Sequence, residues 1–544
     1  MNEALHDQIR PYRESSLVLI HSPTFNFESF DPEVLRNRGY YAYPPRALQC
    51  LKTSVDDLIP CSILDLNYLI LKNLHQNPTA ELYSLLINIL EDYLQAHPEV
   101  KLYGVSTGVI VPNFLEVSKH PFLEILSHLK KKDGLVLAGG APATIEAQNL
   151  IEGGWADIVF KGEAEAKLRY LLNPEEEPTS GICYWNEGQY VESLGSEEMV
   201  DFQASLIPSY SEIPIETYHQ VGCLSPFQRM AGQEKPFCTI QLIRGCRMKC
   251  TFCGLSQYRG SNKVCEYPDK TLFDEIQYLN KERGIKHFSW LDEDLLAGKE
   301  EVKEILRRII EEKLDITWSA PTGLITAYID EELLDLAVQS GCTGFRVGIE
   351  SGNPEVLKRI KKPGTLDKFR RISRMLQRYP QLFVCGLYMI GFESETYGQM
   401  LDTYNFAVEM NLSWSHFSVY QDIEPTDMTK VSLQSYRDWL PSPHKVTGAY
   451  RSEMPSIMLK PEEIFALPRD QVHDPKLLQE IWFAFNLKAN YLMNKKLDER
   501  WLSGLQATYP RHPVIKHFLN QKEEVASILE ESPYWRQRFQ DYGL

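Results

Sequence analysis

The sequence predicts an α/β protein in three parts: a parallel-sheet domain, an open partial (β/α) barrel of six units, and a helical tail. Three observations carry this. Short apolar runs rich in Val, Ile and Leu alternate with helix-length amphipathic segments, twice along the chain. Small or Gly residues follow several of those runs, where a backbone can approach a large flat ligand. After about Met428 the alternation gives way to a helical, aromatic pattern such as Ile481-Trp482-Phe483-Ala484-Phe485-Asn486.

The first alternation runs from Ser16 to about Leu172. Its strand candidates are Leu17 to Ile20, Ser62 to Asp65, Leu102 to Val105, Leu135 to Ala138 and Asp157 to Phe160. Strands separated by helices form a parallel sheet, and its ligand lies outside the carboxyl ends of the strands. Ser106-Thr107-Gly108, Gly139-Gly140-Ala141-Pro142 and Gly162-Glu163 stand at such ends. A connector with a hairpin, Ile182 to Gly188, follows. The second alternation has strand candidates at Thr239 to Ile243, His287 to Leu291, Thr317 to Ala320, Gly344 to Ile349, Val384 to Ile390 and His416 to Tyr420. Six units are fewer than the eight of a closed barrel, so an open one is expected. The expected boundaries are 1–172, 173–235, 236–428 and 429–544.

Composition narrows the function classes. Over 544 residues, 43% apolar and 24% charged content is that of ordinary globular domains. A net charge of −17 repels an extended phosphate backbone, so no nucleic-acid partner is expected. Met1 to Arg10 carry charges where a signal peptide needs an apolar stretch, and no apolar run long enough for a transmembrane segment occurs. A cytoplasmic protein is expected.

Eleven cysteines are too sparse for a disulfide scaffold. Cys50, Cys61, Cys183, Cys223, Cys238, Cys265, Cys342 and Cys385 are scattered and read as small core hydrophobes. Cys246, Cys250 and Cys253 are clustered in Arg244-Gly245-Cys246-Arg247-Met248-Lys249-Cys250-Thr251-Phe252-Cys253-Gly254, directly after a strand candidate. A 4Fe-4S cluster in an electron carrier takes four cysteines, so three leave one iron open to a further ligand. A zinc site is the competing reading, but it usually takes a second pair of ligands, and Cys265 has no companion.

CxxxCxxC with an aromatic before the third cysteine, on the loop after a first barrel strand, resembles the radical S-adenosylmethionine (SAM) superfamily. The resemblance implies a 4Fe-4S cluster on Cys246, Cys250 and Cys253. SAM would chelate the open iron and be split by one electron to a 5′-deoxyadenosyl radical. Trp290-Leu291-Asp292-Glu293-Asp294 is similar to an acidic second-strand pattern whose carboxylates accept hydrogen bonds from SAM. Arg346-Val347-Gly348-Ile349-Glu350-Ser351-Gly352 resembles the fourth-strand motif whose Glu and Ser contact SAM. Met389-Ile390-Gly391-Phe392-Glu393-Ser394-Glu395-Thr396 resembles the Gly-Phe-Pro-Gly-Glu-Thr turn, with Glu393 and Ser394 in place of Pro and Gly. The SAM and cluster contacts so implied are Phe252, Asp292, Asp294, Glu350, Ser351 and Gly391.

The amino-terminal half resembles the Rossmann-like cobalamin-binding domain of one branch of that superfamily. This branch holds the class B radical SAM methyltransferases and the anaerobic magnesium-protoporphyrin ester cyclase. The matching stretches include Tyr43-Pro44-Pro45, Ser62 to Asn67, Gly104-Val105-Ser106, Ala138 to Thr144 and Phe160 to Glu165. The likeness covers roughly residues 15–425 and implies a Rossmann-like cobalamin-binding domain, a partial (β/α)6 radical SAM barrel and a C-terminal helical domain. Ser106, Thr107, Gly139, Gly140, Gly162 and Glu163 would hold cobalamin. No Asp-x-His-x-x-Gly occurs, and the loop after Asp65 reads Leu66-Asn67-Tyr68-Leu69-Ile70, so no histidine lower ligand is expected. A Rossmann-like domain that kept its fold and lost its ligand is the competing reading.

The expected function is a cobalamin-dependent radical SAM methyltransferase. It would act on an unactivated carbon of a small-molecule, peptide or lipid substrate through the 5′-deoxyadenosyl radical and methylcobalamin. An external one-electron reductant such as flavodoxin or ferredoxin would feed the cluster. A cyclase or oxidase of the same architecture is the alternative. A non-catalytic iron–sulfur redox module is another, and it calls for a fourth cluster ligand that is not found.

Overall fold

A computed structural model of the chain describes residues 2–107, 120–196, 204–232, 235–255, 263–420, 457–471 and 475–544. The chain folds as two compact units. The first is Met1–Leu224 with Pro236–Cys246 and Leu255–Lys286, and the second is Ser225–Lys235 with Arg247–Gly254 and His287–Leu544.

The first unit is built on a seven-stranded sheet. In chain order its strands are β1 (Ser16–His21), β2 (Cys61–Asp65), β3 (Val100–Ser106), β4 (Leu135–Gly139), β5 (Ile158–Phe160), β6 (Ile182–Asn186) and β7 (Gln189–Glu192), and across the sheet they follow β2-β1-β3-β4-β5-β6-β7. The first five run parallel, and Leu17 to Ile20 of β1 are buried within 3% exposure, as expected of strands covered on both faces. The stretch expected as a connector with a hairpin supplies β6 and β7, which extend the sheet antiparallel from β5. The order reverses between β1 and β3, which in doubly wound sheets is the switch point where a crevice opens.

One carboxylate ties this end of the sheet together. Asp65 ends β2 and caps the helix Leu66–Gln76 by accepting from the Tyr68 amide. It also accepts from the Tyr218 hydroxyl at 2.5 Å and lies 3.0 Å from His21 Nδ1. A buried carboxylate needs such partners, and Asp65 is 6% exposed.

The boundary expected at residue 235 does not coincide with the edge of this unit. Phe237–Ile240 (β8) and the helix Asp269–Lys281, the first strand and helix of the barrel pattern, lie within it. A buried ion pair explains the attachment. Arg46 donates to both carboxylate oxygens of Glu275, at 2.6 and 3.3 Å, and Glu275 also accepts from the Tyr210 hydroxyl at 2.7 Å. The strand expected over Thr239 to Ile243 is broken. After β8 the chain forms a separate strand, β9 (Ile243–Arg244), antiparallel to β10 (Cys265–Glu266). The Leu242 carbonyl is taken by the Tyr267 amide, which draws this stretch into the hairpin.

The second unit carries β11 (His287–Trp290), β12 (Thr317–Leu324), β13 (Cys342–Glu350), β14 (Phe383–Ile390) and β15 (Trp414–Val419), paired in parallel in that order. Together with β8, every strand expected of the barrel half is present. The intervening helices start at side-chain caps from Asp330, Asn353, Thr365 and Thr396. Phe227 and Met230 pack with Phe383 and Cys385 from the inner face of β14 and with Leu502, Leu505 and Ile515 of the C-terminal helices. This cluster is the floor of the half barrel. At Gly504 the helices come so close that a Cβ would stand 2.5 Å from the Arg229 carbonyl oxygen. Among the described residues no helix is long and apolar enough to cross a membrane.

The C-terminal helices also satisfy the edge of β15. Asn490 accepts from the Ser415 amide and donates to the Ser415 carbonyl, both at 2.7 Å. Asn486 makes the same pair with Phe417 at 3.2 and 3.1 Å. Trp482 Nε1 donates to the Phe417 carbonyl at 2.7 Å and Asn494 to the Ser413 carbonyl at 3.0 Å. The three asparagines are spaced by four residues and face Phe417, Ser415 and Ser413, spaced by two. Four helical residues rise about 6.0 Å and two strand residues about 6.6 Å, so the helix side of the ladder nearly matches the strand. Replacing Asn490, which is 1% exposed, by Leu should leave an amide and a carbonyl of Ser415 buried without partners. The expected loss is about 2 to 4 kcal/mol of stability, read from the shift of a urea unfolding curve.

Candidate active site

Seven of the eight cysteines expected in the core are buried, and Cys265 is half-buried in β10. Cys246, Cys250 and Cys253 are half-buried. Cys246 closes one segment of the first unit, and Cys250 and Cys253 lie in the next segment, which belongs to the second. Among the described residues no three His, Cys, Asp or Glu side chains converge on a single metal ion. A cubane gives each thiolate its own iron and does not require them to.

The second unit fixes its part of the cysteine loop at three points. Thr251 donates its amide to the Ile360 carbonyl at 3.1 Å, and Cys250 Sγ lies 3.9 Å from the Lys361 carbonyl oxygen. Arg247 forks onto Asp294, Nε to Oδ2 at 2.8 Å and Nη2 to Oδ1 at 3.3 Å, and its guanidinium lies 5.0 Å from the Tyr328 ring centre. Phe252 packs 5.8 Å from Phe392, beside the buried residues Val356, Ile360 and Tyr420. Asp294, expected to meet SAM, is fully buried and also anchors the loop through Arg247. Asp292 is also fully buried, and its carbonyl accepts from Thr322 Oγ1 at 2.7 Å.

Glu350 ends β13 with φ +68°, a left-handed conformation that costs a non-Gly residue energy and is found where surroundings over-determine it. Its carboxylate is 2.9 Å from Lys362 Nζ. Burial works against the charge on Lys362, but Glu350, then Cys250 and Cys253, hold its pKa above the ordinary lysine range. A lysine that faces a carboxylate and two thiols is suited to an electron-rich centre, and no local motif marks it in the sequence. Ser351 is fully buried with its hydroxyl 3.0 Å from that of Thr403, and it accepts from the Asn353 amide. Gly391 has φ +82°, and a Cβ there would stand 2.4 Å from Leu478 of the C-terminal helices.

The carboxyl ends of the first sheet form a candidate site of the first unit's own. His21, Ser106 and Gly139 are paired across β1, β3 and β4 in one row. Among the described residues a Cβ on Gly139 would meet nothing within 4 Å, so they leave its backbone uncovered. Gly140, at φ +105°, would place a Cβ 2.3 Å from Thr107 Oγ1, and Thr107 donates its amide to the Gly139 carbonyl at 3.0 Å. Gly162 donates its amide to Thr144 Oγ1 at 2.9 Å. This edge is joined to the strand leading into the cysteine loop: Arg244 lies 2.5 Å from Glu165 and 3.4 Å from Glu163. His21 lies in β1 rather than in the loop considered from the sequence, and its Nδ1 is 3.0 Å from Asp65.

Comparison with known proteins agrees with this arrangement. Residues 240–407 match the radical SAM superfamily model. That match takes in the cysteine loop and strands β11 to β14. It is 27% identical to an uncharacterized methyltransferase of Pyrococcus horikoshii over 52% of this chain and 60% of that one. It is 22% identical to the anaerobic magnesium-protoporphyrin IX monomethyl ester cyclase of Rubrivivax gelatinosus over 53% of this chain and 51% of that one. The chain thus spans between half and two thirds of these relatives. Its fold is similar to the radical SAM methyltransferase TsrM of Kitasatospora setae, solved with cobalamin and a 4Fe-4S cluster. The TM-score is 0.53 at 18% identity, covering 74% of this chain and 72% of that one.

Glu395 also bears on the turn after β14. It accepts from the amides of Gly391 and Phe392, at 2.7 and 3.0 Å. Burial outweighs those two amides and the charge of Arg359 and pushes its pKa from 4.5 up to about 8. Between these values the folded chain holds a proton that the unfolded chain releases, so stability falls as pH rises across the window. Glu395→Gln should flatten this fall, measured as the thermal midpoint from pH 5 to 8.

Proposed function

We propose that the chain is a cobalamin-dependent radical SAM methyltransferase acting on an unactivated carbon of a small-molecule, peptide or lipid substrate. The observation that carries this reading is the pair of prepared surfaces: half-buried thiols on an anchored loop, and a row of strand ends open above Gly139. The donors fit the cofactors. Three thiolates suit a cluster with one open iron, and a backbone without side chains suits a broad flat corrin. The cluster supplies the electron that splits SAM, and cobalamin supplies the methyl carrier.

The chain's own residues then have separate tasks. Cys246, Cys250 and Cys253 hold three irons. Arg247 on Asp294 and Phe252 on Phe392 fix the loop, so little reorganisation is needed when SAM arrives. Asp292, Glu350, Ser351 and Gly391 form the SAM side, and Lys362 balances negative charge there. Ser106, Thr107, Gly139, Gly140, Gly162 and Glu163 line the corrin side. A one-electron donor such as flavodoxin or ferredoxin feeds the cluster.

The likeness to the ester cyclase favours one rival, a ring closure or oxidation by the same machinery. Two measurements test the proposal. Replacing Cys246, Cys250 and Cys253 by Ala should abolish iron binding after anaerobic reconstitution, and iron retained at wild-type stoichiometry would count against the site. With methyl-deuterated SAM and candidate substrates, mass spectrometry should show a labelled methyl group in the product. S-adenosylhomocysteine and 5′-deoxyadenosine should accumulate in equal amounts. A product of unchanged carbon count, formed without S-adenosylhomocysteine, would favour the cyclase-like reading.

A further inference from the structure

The inner face of the half barrel carries an arginine that no carboxylate among the described residues pairs. Phe345, Val347 and Ile349 of β13 are buried within 1% exposure on one face, so Arg346 points to the other. Its strand register fixes its neighbours: Arg346 is opposite Cys385 of β14, and two residues on, Leu387 is opposite both Gly348 and His416. Cys385 belongs to the floor cluster. The Arg346 guanidinium lies 5.1 Å from the ring centre of Phe227, another floor residue. Its Nε is buried without a hydrogen-bond partner, and among the described residues no carboxylate, carbonyl or hydroxyl accepts from the side chain.

The space around it is kept open. Gly323, at φ +111°, faces Arg346 with no side chain, and a Cβ there would be 3.9 Å from the Arg346 Cβ. His416 is exposed, so water reaches this face one row above the floor. An imidazole can donate a hydrogen bond to an incoming anion. Arg346 is half-buried with its Nε fully covered; a cation so placed is costly to leave unpaired, and a chain of net charge −17 has carboxylates in plenty with which to pair one.

We propose that Arg346 anchors an anionic group of the substrate, a carboxylate or a phosphate, with His416 as its hydrogen-bonding companion. The planar fork of a guanidinium matches either anion, and a ring beneath it fixes the plane. Arg346 is four residues before Glu350, roughly 13 Å deeper along the strand, so the anion is the end of the substrate remote from the reacting carbon. The inference rests on the proposed reading in one respect, that the barrel is where substrate meets SAM.

The test is calorimetric titration of the anaerobic, cluster-loaded protein at saturating SAM with two probes, benzoate and phenyl phosphate. One of them should bind, and Arg346→Met should weaken it by about tenfold or more, the loss expected for a charge-assisted hydrogen bond. Arg346→Lys, which keeps the charge and loses the fork, should fall between. Circular dichroism and iron content establish that each variant is folded and loaded. Preference for benzoate assigns a carboxylate and preference for phenyl phosphate a phosphate. If neither probe binds, or if both variants bind it as the wild type does, the inference is overturned. It is also overturned if Arg346→Met weakens SAM alone, which would give the arginine to the SAM carboxylate. Formation of 5′-deoxyadenosine by the reduced wild type is measured separately. Its absence would remove the radical reading and leave the anion site standing.

Discussion

A parallel sheet that stops short of closing has an edge whose amides and carbonyls must be satisfied. Much of the second unit follows from that requirement. An eight-stranded barrel satisfies it by joining its last strand to its first. Here β15 is met by side-chain amides, which supply a donor and an acceptor in the same plane, as a neighbouring strand would. The next helix, Glu499–Thr508, brings Leu502 and Leu505 to the floor, so consecutive C-terminal helices cover the edge and the base. The upper part of the lumen can therefore remain open, as His416 shows.

The same division between a sealed base and an open top recurs in the charges. Asp294 holds Arg247 and Glu350 holds Lys362, each cation paired at the level of the cysteine loop. Arg46 and Glu275 are paired in the first unit. Arg346 stands apart from this pattern. Buried charge is tolerated where its hydrogen bonds are complete, which is why the unaccompanied one directs attention to a ligand.

Much of this was legible in the sequence, because its signals are local. The five parallel strands of the first sheet and five of the six barrel strands coincide with the apolar runs, since burial on both faces writes itself into consecutive residues. The three cysteines stand out by spacing alone. Thr239 to Ile243 was misread as one strand because β9 pairs with Cys265–Glu266, about twenty residues on, and apolar content does not report such a partner. The roles of individual polar residues were less legible. Asp294 and Ser351 read as ligand contacts, and nothing in the sequence signals that Asp294 also holds Arg247 or that Ser351 also pairs with Thr403. Lys362 and the asparagines that face β15 carry no motif, and nothing next to them in the sequence marks their partners.

The asparagine ladder has a further consequence. Four residues of an α-helix turn through 400°, so each step along the ladder would rotate the next side chain about 40° past its predecessor. Over three steps that drift would swing the last asparagine off the strand. The helix does not continue as α: Lys488–Leu492 is a π turn, wider than the turns before it. A wider turn uses more residues per revolution and winds the drift back, keeping Asn490 and Asn494 in phase with β15. The irregularity acts as a vernier between two repeats that do not divide into one another. Its length, rather than its composition, sets how far a helix can imitate a strand here.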